Sequence, residues 1–86
     1  MSILNVTYNQ ITASVDLGNG LSYKTSEQFN SSNLPVFYEV DKYSNNILAQ
    51  ITKENVTYNN GLETVNWTID DKSNNNFTSG SYTLKH

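Results

Sequence analysis

The sequence contains no cysteine and no arginine, and only one proline, one histidine and four glycines. Without cysteine there is no disulfide, no thiol chemistry and no cysteine-based zinc site, so a chain of this size must rely on packing alone. Without arginine there is no planar fork for bidentate phosphate contacts. The five basic residues are lysines (Lys24, Lys42, Lys53, Lys72, Lys85), scattered along a chain of net charge −3. That pattern gives no electrostatic footprint for nucleic acid, which is not expected as a partner. No apolar run approaches the ~20 residues of a membrane span, so no membrane contact is expected within this segment. No secretory signal stands at Met1. The chain reads either as a soluble protein or as a domain excised from a longer, membrane-anchored one.

Catalytic chemistry is also short of parts. The single histidine, His86, is the last residue. A general base needs fixed geometry and an orienting partner, and a terminal residue offers neither. Glu39 and Asp41 share one strand face and are the one carboxylate pair to weigh for hydrolysis; such pairs more often form solvated surface. Asp70-Asp71 begins a segment superficially like a calcium loop. Counted from Asp71, however, the sixth position is Asn76 and the twelfth Tyr82, where a glycine and a glutamate belong. A capped turn is the simpler reading. The expectation is a protein that is not an enzyme, with no cofactor and no metal.

What the chain does have is a two-residue hydrophobic period. Ile11, Ala13, Val15 and Leu17 alternate with Thr12, Ser14 and Asp16; Val36, Tyr38 and Val40 alternate with Glu39 and Asp41; Ile47, Ala49 and Ile51 alternate with Gln50 and Thr52; and Val56 and Tyr58 flank Thr57. Residues 3–8 and 21–25 are weaker strands. Ser26–Asn30 is the one segment that suggests a helical turn. Gly18-Asn19-Gly20, Ser44-Asn45-Asn46 and Asn59-Asn60-Gly61 are turn signals, and Pro35 suits the start of a strand. Eighty-six residues make one domain, 1–86. Short strands at regular spacing predict an all-β sandwich of about seven antiparallel strands.

Fourteen asparagines and nineteen serines and threonines produce five Asn-x-Ser/Thr sequons, at Asn5, Asn30, Asn55, Asn66 and Asn76. These are the candidate glycosylation sites; about three would arise from composition alone. In four of them the middle residue is apolar, so alternation turns the asparagine outward. Ten aromatic residues are many for this length. They suit a core, except Phe37, which falls on the face of Glu39 and Asp41 and reads as an exposed contact patch.

Val65-Asn66-Trp67-Thr68-Ile69 reads as a strand with Val65, Trp67 and Ile69 inward, followed by a polar turn and Gly80-Ser81-Tyr82. That spacing resembles the E strand, corner and F strand of an immunoglobulin-like sandwich, in which a tyrosine hydroxyl bonds back to upstream backbone. Trp67 is then a core anchor and Tyr82 the corner tyrosine. An F strand starting at Tyr82 also calls for a closing strand after His86; either the domain is cut there, or the sheet has an edge open to a partner strand.

Phe37-Tyr38-Glu39-Val40-Asp41, Val65 to Ser73 and Ser79-Gly80-Ser81-Tyr82 together resemble the lumenal domain of the delta subunit of the translocon-associated protein complex, also called signal sequence receptor delta. The similarity covers the C-terminal half. It implies an immunoglobulin-like fold in the endoplasmic reticulum lumen, a following membrane helix, and partners among the translocon-associated subunits and the protein-conducting channel. It implies no catalytic residues. The expected function is therefore a non-catalytic protein–protein module that assists translocation. The alternatives are an immunoglobulin-like structural or adhesive module of a microbial surface or virus, at the cell surface or extracellular, and a small acidic intracellular inhibitor of a basic partner.

Overall fold

The structure, a computed structural model, describes the backbone of residues 2–7 and 9–85 and the side chains of residues 9–85. Seven strands follow one another: β1 (Ser2–Thr7), β2 (Gln10–Gly18), β3 (Leu21–Phe29), β4 (Pro35–Ser44), β5 (Ile47–Asn59), β6 (Leu62–Asp71) and β7 (Asn76–Lys85). They lie in one sheet in chain order, and every neighbouring pair is antiparallel. There is no helix among the described residues, and hence none long and apolar enough to cross a membrane.

Turn chemistry dictates this meander. Asn19-Gly20, Asn45-Asn46 and Asn60-Gly61 all hold positive φ at both positions, at 56° and 80°, 52° and 64°, and 51° and 77°. That is the two-residue hairpin turn whose twist matches the flanking strands. The β3–β4 and β6–β7 turns are built by side chains. Asn30 Oδ1 accepts from the N–H groups of Ser32 and Leu34 at 2.9 and 3.1 Å, shaping the β3–β4 loop. Asp71 Oδ1 accepts from Ser73 and Asn74 N–H at 3.1 and 3.3 Å, and its Oδ2 from Asn74 Nδ2 at 2.8 Å. Asp70-Asp71 is thus a capped turn, with Lys72 Nζ on Asp70 Oδ2 at 3.0 Å.

The all-β class agrees with the sequence reading, but the two layers of a sandwich are not present. Among the described residues, strands touch only their sequence neighbours. The physical reason is connection length. Two-residue turns hold successive strands one hydrogen-bond spacing apart, about 4.8 Å, whereas crossing to a second sheet needs about 10 Å. The molecule measures 45 × 31 × 14 Å, with a radius of gyration of 14.7 Å; a compact domain of this length would have about 12 Å. Val65, 3% exposed, is the one buried residue among those described.

Local expectations shift with the register. Ser26–Asn30, suspected of a helical turn, continues strand β3 as far as Phe29. The runs at 47–51 and 56–58 are one thirteen-residue strand, β5. Its β4 partners skip Ala49, so Leu48 and Gln50 flank a bulge. The Ala49 carbonyl instead accepts from Lys72 and Ser73 N–H at 2.9 and 3.3 Å. The bulge breaks the Ile47-Ala49-Ile51 alternation, and Ile47 is 70% exposed. An irregularity between Asp16 and Gly18 does the same to Leu17, 59% exposed.

Candidate protein-binding face

Register assigns each strand residue to one of two faces. Val65, Trp67 and Ile69 share a face, as the sequence predicted, opposite Tyr82, Gly80 and Thr78 of β7 and Val56, Glu54 and Thr52 of β5. Following the pairs outward adds Tyr38, Val40, Tyr23, Ala13, Val15 and Ile11. This is the apolar face. The other carries Thr12, Ser26, Asn55, Thr57, Thr64, Asn66, Thr68, Ser79 and their neighbours, and is the polar face.

Charge divides between the faces unevenly. On the polar face Lys24 stands opposite Asp41, and Lys53 opposite Glu39. The Lys24 ammonium also lies 5.2 Å from the Tyr43 ring centroid. On the apolar face Glu27, Glu54, Glu63 and Asp71 are set against Lys42 alone. The net negative charge of the protein therefore sits on the face that carries Val65, Trp67, Ile69 and their apolar neighbours, while Phe37, Tyr43, Ile51 and Phe77 lie on the polar face.

At one end of the apolar face is an open depression of about 350 Å³. Glu27, Glu54 and Glu63 line it, together with Tyr38, Tyr58, Val56, Val65 and Tyr82. The Tyr58 hydroxyl donates to the Pro35 carbonyl at 2.6 Å, tying β5 to the start of β4. Desolvation, and secondarily the Glu63 charge, push the Tyr58 hydroxyl above its ordinary pKa of 10.0. Phe37 is half-buried rather than exposed and is among the residues lining this depression. The sequence reading did not single out Glu27, Glu54 or Glu63. They lie on different strands, and only cross-strand register brings them together.

Trp67 is half-buried, with its ring over Gly80. Tyr82 departs from the corner role. It lies in the middle of β7, an edge strand paired with β6 along its length, and is 46% exposed. The hydrogen bonds among the described residues do not include its hydroxyl. The hydroxyl-to-backbone tether expected of Tyr82 is made by Tyr58.

Asn55 and Asn66 face each other directly across β5 and β6, both exposed on the polar face. Asn76 is exposed at the start of β7, whereas Asn30 is half-buried with its Oδ1 engaged in the turn. The side chains of Asn5 and His86 lie outside the described residues.

Glu39 and Asp41 are adjacent on the polar face. A hydrogen bond shared with Asp41, then partial burial, raises the Glu39 carboxyl above its ordinary 4.5, while Lys53 opposes the shift. Asp41 Oδ1 is buried without a hydrogen-bond partner. The pair has no histidine nearby among the described residues and lines none of the depressions described. Among the described residues, no group of three or more acidic, histidine or cysteine side chains could hold a metal.

Compared with known proteins, the chain matches no family model, no curated protein and no solved structure. What defines it is a one-layer, all-β meander with one apolar, acidic face.

Proposed function

We propose that this chain is a non-catalytic protein-interaction module that binds through the apolar face of its sheet. The observation that carries the reading is the surface left uncovered. The accessible area is 6137 Å², against about 5,100 Å² expected of a compact monomer of 9.7 kDa. The excess of about 1,000 Å² is comparable to one side of a standard protein interface. A partner layer on this face would complete a two-layer, immunoglobulin-like sandwich between chains, which is the form in which that expectation is retained.

A photo-reactive phenylalanine analogue placed at position 82 or at position 57 tests the reading in the native cell. Position 82 lies on the apolar face and position 57 on the polar face. Protein adducts from 82 and not from 57 are expected. Equal adducts from both, or none from 82, would overturn it.

The lumenal, translocon-associated reading remains a proposal supported by the quoted residues and by Asn55 and Asn66, which are exposed on the face away from the binding surface. Glycans there would leave the apolar face clear. Secreted expression with glycan mapping tests it; well-folded material with no glycan at any of the five sequons would count against it.

A further inference from the structure

Resting on the interaction reading above, we infer that the partner is a basic polypeptide segment, which inserts a lysine or arginine side chain into the depression bounded by Glu27, Glu54 and Glu63 and lays its aliphatic stem on the flanking aromatic rings. Three observations converge on this occupant. The depression combines three carboxylates with three tyrosines and two valines, and is lined by no basic residue. The one lysine on that face, Lys42, stands four residues along β4 from Tyr38, about 13 Å at ~3.3 Å per residue. The local field is therefore negative where tyrosines and valines line the depression. A cation gains from both components, since carboxylates attract its charge and tyrosine faces add cation–π attraction.

The same charges argue against the other occupants. A second copy docked about a two-fold axis through the depression would set Glu27, Glu54 and Glu63 against their own equivalents, a like-charge juxtaposition that interfaces avoid. An anionic membrane or a nucleic acid would be repelled. A small polyamine satisfies the charge, but covers only a fraction of the roughly 1,000 Å² of excess surface. A polypeptide carrying basic and apolar residues in alternation satisfies both.

Two short synthetic peptides test this on the whole protein: one alternating lysine and leucine, the other alternating glutamate and leucine. Binding is read by backbone amide NMR shifts and by the fluorescence of Trp67, the single tryptophan. The lysine peptide should bind saturably, and the shifts should cluster around Glu27, Tyr38, Glu54, Tyr58 and Trp67. Affinity should fall about tenfold in the Glu27→Gln/Glu54→Gln double variant, and should also fall with added salt. A single Glu54→Gln variant serves if the double variant does not retain its folded spectrum. Equal binding of both peptides would overturn the basic partner while leaving the apolar binding face intact. Shifts confined to Thr57, Asn66 and Thr68 would overturn both readings. Failure of the lysine peptide to bind would overturn the proposal, and concentration-dependent dimerisation that shields Trp67 would replace it with self-association.

Discussion

The indole of Trp67 occupies the space that a side chain at Gly80 would need. The two residues are register partners across β6 and β7, and a Cβ built on Gly80 would lie 2.5 Å from Trp67 Cζ2 and 2.8 Å from Cε2. Glycine in a strand interior normally costs stability through backbone entropy and lost packing. Here an aromatic ring shelters an edge-strand glycine. A double-mutant cycle should expose the coupling. Gly80→Ala should destabilise by about 1–3 kcal/mol through overpacking. In a Trp67→Ala background the same change should be neutral, or stabilising by about 0.5 kcal/mol. Trp67→Ala alone should cost about 2 kcal/mol, below the usual core value because the ring is half-buried. Urea denaturation of the four proteins measures all three terms; additive effects would mean that the ring does not rest on Gly80.

The two tyrosines should separate cleanly. Tyr82 is 46% exposed, so Tyr82→Phe should change stability by no more than about 0.5 kcal/mol. Tyr58→Phe deletes the 2.6 Å bond to the Pro35 carbonyl and should cost about 0.5–1 kcal/mol, at the low end because the bond is exposed. Thermal melts of both variants check this, and a larger loss from Tyr82→Phe would restore the corner role.

The Glu39–Asp41 pair should make stability depend on pH. The folded protein holds the Glu39 proton above 4.5, the value at which the ordinary carboxyl releases it. Between that point and the raised folded value the native state binds more protons than the unfolded one, so stability falls as pH rises through this window. Glu39→Gln keeps the hydrogen-bonding shape without the titration and should flatten the profile. Chemical melts between pH 4 and neutrality give the comparison; an unchanged slope would mean that the two carboxyls do not share a proton.

The β4–β5 turn offers a backbone test. Asn46 holds φ of 64°, which costs an ordinary side chain about 1 kcal/mol. Asn46→Ala should destabilise by that order, and Asn46→Gly should be neutral or slightly stabilising. If alanine is tolerated without loss at this position in urea melts, the two-residue turn is not the one described.

Asparagine shows how far composition can be read. Its abundance looks like codon bias, yet six of the fourteen hold positive φ: Asn19, Asn33, Asn45, Asn46, Asn60 and Asn75. These positions lie in the turns and loops between strands, so the residues that bias the composition also set the topology. Four hairpin or loop positions were legible as turns because Asn and Gly adopt left-handed backbone at little cost.

The sequence by itself determined the class. Period-two alternation, few helix signals and left-handed turn residues leave only antiparallel strands, and Val65, Trp67 and Ile69 were placed on one face because the side-chain period is two. It also determined what is missing: thiols and an arginine fork. Layering was decided only by tertiary structure. Alternation says that a strand has an inward face but does not say what covers it, so the same pattern serves a sandwich and a single sheet. Phase was decided there too: Ile51 pairs with Asp41 on the polar face, whereas the Ala49 bulge sets Ile47 opposite Ser44, out of phase with Ile51 and 70% exposed, and a bulge is a pairing event between β4 and β5. The acidic, aromatic depression was likewise invisible in the chain. Glu27, Tyr38, Glu54 and Trp67 are separated by 11, 16 and 13 positions along the sequence, and become a row only when four strands lock into one register.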